Sequence, residues 1–166
     1  LEGSKVTAKR FMRRHNIRTA DFRVFDDPAK AKRYVKELPD SEPPVIKADG
    51  PCDGKGVFVT KDFSEVFEAI ETIMVKKKFG AAGNRIVIEK RLEGQECSFI
   101  VLADGKRVVP FLPSCDYKRR LDGDKGLNTG GMGAYCPNPL ITPNLHEEIM
   151  GDIVLPTIRG MEYEGI

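Results

Sequence analysis

A glycine-rich stretch, 128–135 (NTGGMGAY), places the strongest restriction on what this chain of 166 residues can fold into. Three glycines fall among six residues, and each one raises the entropy cost of ordering the backbone, so helix or strand propensity does not explain them. A charged run, 116–125 (DYKRRLDGDK), ends two residues before it. Glycines let backbone amides approach a ligand closely, and the neighbouring charges indicate a charged ligand. The stretch predicts a binding floor for a small polar substrate, with a glycine-rich solvent loop as the alternative.

Composition narrows the class of protein. The net charge of +2 gives no electrostatic reason to expect binding to nucleic acid. A composition of 40% apolar and 31% charged residues is ordinary for a soluble globular protein. No apolar stretch approaches the roughly 18 residues of a membrane span. The four cysteines form no CxxC pair, which argues against a zinc site or a disulfide framework. We expect a cytoplasmic protein with free thiols, and an excised piece of a longer polypeptide, since the chain starts without methionine.

Helix and strand signals alternate along the chain and predict an α+β protein. Capping residues open four helices, at Ser4, Asp27-Pro28, Asp62 or Ser64, and Thr142-Pro143. Short apolar runs predict strands at 22–25, 45–47, 56–60, 85–89, 97–102 and 108–112. In the last helix Leu145, Ile149 and Ile153 should face the core, and Pro156 should end or kink it.

A second glycine-rich segment, 47–56 (KADGPCDGKG), lies between two predicted strands. It is not a Walker A sequence, because three residues rather than four separate Gly50 from Gly54-Lys55 and a glycine follows the lysine. A loop that joins two strands predicts a mobile hairpin flap whose amides fold over a polyphosphate, with Lys47 as a fixed positive charge. An ordinary hairpin with exposed lysines is the alternative.

The segment 89–96 (EKRLEGQE) leaves a predicted apolar strand. A chain leaving a strand can present a backbone carbonyl and, three residues later, an amide to a flat purine edge. A carboxylate at Glu96 can accept hydrogen bonds from two ribose hydroxyls. Charged turns between strands are common, so the pattern by itself is weak evidence. It becomes informative because it lies about one helix downstream of the predicted flap.

Together these motifs resemble the ATP-grasp region of the glycinamide ribonucleotide synthetases (phosphoribosylamine–glycine ligases), and the resemblance runs from the first residue to the last. The flap and the ExxLxxxE pattern occur across ATP-grasp ligases, whereas the DxKR and NTGGMGAY stretches are specific to this family. The matching segments are GSK at 3–5, FMRRH at 11–15, VIKADG at 45–50, GKGV at 54–57, DYKR at 116–119 and NTGGMGAY at 128–135.

The resemblance implies an ATP-grasp fold of the α+β class, with a small mixed lobe and part of a second, antiparallel-sheet lobe. It implies an N-terminal helix over 1–16, the small lobe with the flap over 17–88, and the hinge and first part of the large lobe over 89–166. The implied ATP-binding residues are Lys5, Lys47, Gly54, Lys55 and Gly56 at the phosphates, Glu89 and Leu92 at the adenine, and Glu96 at the ribose. The implied residues of the glycine and ribonucleotide side are Asp116, Lys118, Arg119, Asn128, Thr129, Gly130 and Gly131. The implied catalytic residues are Lys47, Lys118 and Arg119.

The implied reaction belongs to de novo purine biosynthesis and has two stages. ATP phosphorylates the glycine carboxylate, and the amine of 5-phosphoribosylamine then displaces phosphate to form the amide. This chemistry needs charge neutralisation and in-line positioning, which lysines, flap amides and magnesium (or manganese) supply. The resemblance places the metal ligands beyond Ile166 and the phosphoribosylamine-binding lobe before Leu1. We therefore expect no metal ligand within this chain and no ligase turnover from it alone. Whether the longer protein is also fused to other purine-pathway domains stays open.

Some positions depart from the family pattern. Pro51-Cys52-Asp53 replaces the small residues usual in the flap. Proline removes one amide and Asp53 adds a negative charge, so we expect Asp53 to point away from the phosphates or the flap to be remodelled. Cys115 stands where glutamine is usual, and Tyr117 where histidine is usual. No histidine lies near Cys115 in sequence to activate it, so we expect an inert thiol rather than a nucleophile.

Two further classes of function stay open from the residues alone. The diverged flap is the only support for a non-catalytic nucleotide-binding or interaction module. A basic nucleic-acid-binding domain is suggested by 76–78 (KKK) and 118–120 (KRR). Those cations are not interleaved with aromatic residues, and the triple lysine suits the negative pole at a helix end.

Overall fold

The chain divides into two units, each built of helices and antiparallel strands. The computed structural model describes residues 1–39, 42–52, 55–123 and 125–166. Unit 1 consists of Leu1–Arg14 and Thr19–Glu93, and unit 2 of His15–Arg18 and Gly94–Ile166. The expected α+β class is confirmed.

A four-stranded antiparallel sheet forms the centre of unit 1. Its strands are β1 (Phe22–Phe25), β2 (Val45–Ala48), β3 (Val57–Val59) and β4 (Ile86–Glu89). Their order is β1-β4-β2-β3, so the strand latest in sequence lies between the two earliest. This order pairs the last strand of unit 1 with both of its first two strands.

Three helices of unit 1 begin where capping residues predict them. They are α1 (Lys5–Arg14), α2 (Pro28–Lys36) and α3 (Phe63–Ile70). The side chains of Ser4, Asp27 and Asp62 each accept a hydrogen bond from the amide three residues on, at 3.0, 2.8 and 2.9 Å. After α3 the helix widens into a π turn over Glu71–Val75, and a 3₁₀ helix follows at Gly80–Asn84.

The two faces of this sheet have different partners. One face packs against α2 and α3 in a core of buried residues: Ala31, Val35, Ile46, Ala48, Val66, Ala69, Ile70, Ile73, Met74, Ile86 and Ile88. On the other face, Val6 of α1 packs with Phe22 and Val87. Because side chains alternate along a strand, Lys47 and Glu89 lie on the face that α1 covers.

Unit 2 begins its strands with the hairpin β5 (Val101–Ala103) and β6 (Val108–Pro110). The expected strand over 97–102 is thus regular only at its end, and Ser98 before it forms a single antiparallel bridge with Ser114. The segment 115–135 then folds back on itself. Its base pairs β7 (Cys115–Asp116) with β10 (Ala134–Tyr135), and its outer part pairs β8 (Arg119–Leu121) with β9 (Lys125–Asn128).

The last helix corrects two details of the prediction. It runs as α4 (Pro143–Ile149), a π turn over Met150–Val154, and α5 (Leu155–Glu164). Pro156 does not end the helix, since it falls in the first turn of α5, directly after the π turn. The expectation that Ile153 faces the core is wrong: it is 39% exposed, whereas Val154 is buried. A π turn contains one more residue than an α-helical turn, so the buried position moves one residue further along the chain.

Leu145, also expected in the core, is 36% exposed.

None of the helices in the described ranges has the length and apolar character needed to cross a bilayer.

Candidate functional site

Asp49 ties the turn after β2 to the start of α1. Its Oδ1 accepts hydrogen bonds from the Ser4 hydroxyl at 2.8 Å and from the Val6 amide at 3.1 Å. Its Oδ2 lies 2.6 Å from Nη2 of Arg85. Amides in the first turn of a helix lack intrahelical partners and attract negative charge. Asp49 is therefore a built-in anion at the N-terminal pole of the helix that carries Lys5.

The surroundings of Asp49 stabilise its ionised form. Burial by itself raises the pKa of Asp49, but the hydrogen bonds from Val6 and Ser4 and the charge of Arg85 outweigh burial, and the pKa lies below its ordinary value. The carboxylate consequently stays charged at neutral pH, and the turn stays tied to α1.

Lys5, an expected phosphate ligand, points at the same turn. Its Nζ donates a hydrogen bond to the Gly50 carbonyl at 2.7 Å. Gly50 has a φ of 137°, a conformation that residues with a side chain rarely adopt. A glycine is thus needed for the backbone path that brings this carbonyl to Lys5.

The expected flap is described only at its two ends. Gly54 and Asp53 lie outside the described residues, so the expected direction of Asp53 stays a prediction. The Lys55 amide donates to the Cys52 carbonyl at 2.8 Å. A Cβ on Gly56 would lie 2.7 Å from both Cβ and Sγ of Cys52, so the turn closes tightly between these two positions.

A buried carboxylate lies between two lysines on the α1 face of the sheet. Glu89 is 6% exposed; Nζ of Lys47 contacts its Oε1, and Nζ of Lys9 lies 2.5 Å from its Oε2. We call these three side chains the Lys9–Glu89–Lys47 cluster. A buried charge is tolerated where it is paired, and here two cations share one anion. One lysine can therefore change partner while the other keeps Glu89 paired.

The segment after β4 lies at the surface of unit 1. Leu92 is 71% exposed, and Nη1 of Arg91 donates to the Thr60 carbonyl at 3.4 Å. Oε2 of Glu89 is buried at the start of this segment, where its partner is Nζ of Lys9. Glu96, the expected ribose ligand, belongs to unit 2.

In unit 2, three of the expected site residues form one charged patch. Nζ of Lys118 lies 3.7 Å from Oδ2 of Asp116 and 3.9 Å from Oε2 of Glu96. These are long contacts between partly exposed groups, so water screens them and they hold the lysine weakly. Lys118 is therefore free to turn toward a ligand anion.

The glycine-rich stretch is hydrogen-bonded to the charged run rather than forming a separate loop. Both the amide and the hydroxyl of Thr129 donate to the Lys118 carbonyl, at 2.6 and 2.9 Å. The Gly131 amide donates to the Thr129 hydroxyl at 3.1 Å. A Cβ on Gly130 or Gly131 would meet no atom within 4 Å, so this backbone is bare and open.

Arg119 and Asn128 lie opposite each other in the β8–β9 pair, and Nη1 of Arg119 donates to the Gly126 carbonyl at 3.3 Å. Two of the residues expected to bind glycine or the ribonucleotide therefore lie in the outer strand pair of this segment. Two of the departures from the family pattern, Cys115 and Tyr117, lie at its base, where the rings of Tyr117 and Tyr135 are 5.8 Å apart. A hydrogen bond with Cys115, which is opposite Tyr135, raises the pKa of the Tyr135 hydroxyl.

A groove of about 920 Å³ runs along β1, the edge strand of the unit 1 sheet. Arg10 and Arg13 of α1 and Tyr34 of α2 contribute to its walls. Of the expected site residues in the described ranges, Glu89 alone lines it. This groove thus only adjoins the predicted chemistry.

Sequence reasoning missed three residues of this site. Lys9 is four residues after Lys5 on α1, and Asp49 directly follows a predicted strand, so spacing could have found both. Arg85 carries no local signal, because its contact with Asp49 depends on β4 lying beside β2.

Similarity to known proteins agrees with this arrangement. The sequence model of the phosphoribosylglycinamide synthetase ATP-grasp (A) domain matches residues 3–166. The chain is 52% identical to a phosphoribosylamine–glycine ligase of Ralstonia nicotianae over 166 residues, and 50% identical to one of Neisseria meningitidis over 165. These alignments cover 100% and 99% of the chain but only 39% and 38% of the relatives, so the chain spans about two fifths of their length.

Solved structures show the same relationship. A phosphoribosylamine–glycine ligase of Thermotoga maritima aligns with a TM-score of 0.84 and 38% identity, over 99% of this chain and 41% of that one. The biotin carboxylase domain of a Hydrogenobacter thermophilus 2-oxoglutarate carboxylase, solved with ADP and magnesium, aligns with a TM-score of 0.71 and 20% identity over 98% of this chain and 34% of that one. The second likeness concerns the fold alone. The expected ATP-grasp fold is confirmed, and the chain belongs to the phosphoribosylglycinamide synthetase ATP-grasp (A) domain family.

Proposed function

We propose that this chain holds ATP within a phosphoribosylamine–glycine ligase, and that the whole ligase joins glycine to 5-phosphoribosylamine through glycyl phosphate. The products are glycinamide ribonucleotide, ADP and phosphate. The Lys9–Glu89–Lys47 cluster carries the proposal, because it is a pre-formed cationic site in a chain 52% identical to a ligase of that name. In this proposal 1–16 is the N-terminal helix, 17–88 the small lobe with the flap, and 89–166 the hinge and first part of the large lobe.

The phosphate ligands in this proposal are Lys5, Lys47 and the flap residues 54–56. Lys47 exchanges Glu89 for a phosphate oxygen when ATP binds. Because Lys9 stays beside Glu89, the exchange leaves no buried charge unpaired, which would otherwise cost several kcal/mol. Fixed cations beside the transferred phosphoryl group are the main requirement of phosphoryl transfer.

The base and ribose ligands follow the strand that ends at Glu89. In this proposal the backbone carbonyl of this residue meets the amino group of adenine. Leu92 offers an exposed apolar side chain and its backbone amide to the flat base, and Glu96, which is 70% exposed, accepts from the ribose hydroxyls.

The acceptor side of the proposal lies in unit 2. Thr129 is hydrogen-bonded to Lys118, and a Cβ on Gly130 or Gly131 would meet no atom within 4 Å. In this proposal Asp116, Lys118, Arg119 and residues 128–131 bind the charged ends of glycine and the phosphate of 5-phosphoribosylamine. Lys118 and Arg119 neutralise charge as the acyl phosphate forms and breaks down.

Magnesium neutralises phosphate charge in reactions of this class. The described ranges hold no group of three or more His, Cys, Asp or Glu side chains suited to a metal ion. No step of the proposed reaction is assigned to a metal held by these residues.

The test uses the Ralstonia nicotianae ligase with its matching segment exchanged for these 166 residues. With glycine, 5-phosphoribosylamine and magnesium–ATP, this chimera should release ADP and form glycinamide ribonucleotide, detected by mass spectrometry. Lys47→Met should lower kcat/KM by about 100-fold, the size of a lost transition-state ligand. The control Lys32→Met removes a surface lysine that pairs with Glu71 and should leave turnover unchanged. The isolated chain should bind ATP weakly and show no turnover.

A chimera that binds ATP by titration calorimetry but forms no product would contradict the ligase proposal and favour the binding module instead. Equal activity of the Lys47→Met and Lys32→Met chimeras would show that the cluster does not serve phosphoryl transfer.

A further inference from the structure

Two cysteines of unit 2 stand opposite each other across a strand bridge. Ser98 and Ser114 exchange both of their backbone hydrogen bonds, at 2.8 and 3.0 Å, which makes them a hydrogen-bonded antiparallel pair. Cys97 precedes the first of these residues and Cys115 follows the second. The bridge is isolated, and the two cysteines are the next residues outward from it; in an antiparallel arrangement the position beside a hydrogen-bonded pair is the non-hydrogen-bonded kind.

That kind of pair has the dimensions of a disulfide. Facing residues in a non-hydrogen-bonded pair have Cα atoms roughly 4.5 Å apart and side chains on the same face. A disulfide needs Cα atoms about 4.4–6.8 Å apart. The positions next to the Ser98–Ser114 bridge are therefore suited to a disulfide between Cys97 and Cys115.

The neighbours of the two thiols overlap. Tyr135 hydrogen-bonds with Cys115 and lies close enough to Cys97 to interact with it electrostatically. Cys97 and Cys115 also interact electrostatically with each other. Both thiols are free and partly buried. Burial raises the pKa of the Cys97 thiol, although a hydrogen bond with Asn138 acts in the opposite direction. A raised pKa leaves less thiolate, so Cys97 is the slower attacking group.

The other cysteines are placed differently. Cys136 lies just after β10, outside the strand that pairs with β7. Its Sγ donates to the Leu112 carbonyl at 3.6 Å. Cys52 belongs to unit 1. Cys97 is thus the one facing partner for Cys115 among the described cysteines.

We propose that Cys97 and Cys115 are a thiol-pair modification site that forms a reversible disulfide with a low-molecular-weight disulfide such as glutathione disulfide as oxidant. The Cys115 thiolate attacks one sulfur of glutathione disulfide, and the first glutathione leaves as its thiolate. Cys97 then attacks Sγ of Cys115, gives its proton to solvent and releases the second glutathione. Two protein thiols are oxidised to one disulfide, and one glutathione disulfide is reduced to two glutathiones.

The cross-link has a definite structural consequence. It closes the loop from 97 to 115, which contains the β5–β6 hairpin, and fixes the base of the strand that carries Asp116. Closing a loop of this size should raise the folding equilibrium constant of unit 2 by about 100-fold. The inference does not depend on the proposed ligase activity.

The experiment incubates the 166-residue chain with glutathione disulfide without oxygen and counts its remaining thiols after denaturation. We expect loss of two of the four thiols, a mass lower by two hydrogen atoms, and a tryptic peptide pair joining Cys97 to Cys115. Cys136→Ser should cross-link like the wild type. Cys97→Ser should stop at a glutathione adduct on Cys115. Circular dichroism before oxidation checks that each variant is folded.

Retention of all four thiols in the wild type overturns the proposal. Stable glutathione adducts without a cross-link overturn it too, since a facing partner would displace glutathione. A cross-link that requires Cys136 would show that the ladder position does not select the partner.

Discussion

Replacing Asp49 with alanine should destabilise unit 1 by about 3 kcal/mol. Hydrogen bonds from Ser4 and Val6 end on this carboxylate, whose side chain is 5% exposed. Each hydrogen bond to a charged group contributes about 1.5–3 kcal/mol, but part of the loss is recovered as water reaches Ser4. The guanidinium of Arg85 is 44% exposed, so its ion pair adds less than about 1 kcal/mol.

Urea unfolding at neutral pH, followed by far-ultraviolet circular dichroism, measures this loss. With a slope of about 2 kcal/mol/M, the midpoint of the Asp49→Ala variant should fall by about 1.5 M. Asp49→Asn keeps an acceptor oxygen for Ser4 and Val6 and loses only the charge, so its loss should be about half as large. Asp122→Ala, at an exposed carboxylate, should stay within about 0.5 kcal/mol of the wild type.

The same interaction predicts a pH dependence. The pKa of Asp49 lies below its ordinary value, so its contribution to stability is complete above the unfolded-state pKa of about 3.9. The contribution is lost as the pH falls through the lower pKa of the folded state. The wild type and Asp49→Asn should therefore converge in stability below about pH 4. A loss under about 1 kcal/mol for Asp49→Ala, or a gap to Asp49→Asn that does not change with pH, would refute the anchoring role.

Two packing predictions concern the rest of unit 1. Gly83→Ala should lower the free energy of unfolding by at least about 2 kcal/mol in thermal melts, because the new Cβ would lie 2.2 Å from the Ile73 carbonyl oxygen. Gly3→Ala, where a Cβ meets nothing within 4 Å, is its control, and equal melting of the two would contradict the packing. Thr60→Val should cost about 1–3 kcal/mol in urea unfolding, because it leaves the Pro44 carbonyl without the buried hydroxyl that donates to it at 2.6 Å. An unchanged midpoint would mean that water replaces this hydroxyl.

Features that depend on neighbouring residues were predictable from the sequence. The helix starts after Ser4, Asp27, Asp62 and Thr142 are confirmed, because a cap needs only a side-chain oxygen and the amide three residues later. The family was also readable, because NTGGMGAY and DYKR are contiguous strings that need no folding to be compared.

Small changes of helix geometry were not predictable in the same way. The 3.6-residue repeat placed Ile153 in the core, but a π turn before Pro156 moves the buried position to Val154. The repeat assumes a regular helix, and the local sequence carries no strong signal for the inserted residue.

The sequence by itself determined the α+β class, the helix starts, the membership of the family and the residue types available for phosphate and carboxylate binding. Only the tertiary structure decided which charges meet. Glu89 lies between Lys9 and Lys47, and Arg85 reaches Asp49, because β4 pairs with both β1 and β2. The order of strands in a sheet and the register between them depend on packing between residues distant in the chain, and no local pattern encodes that choice.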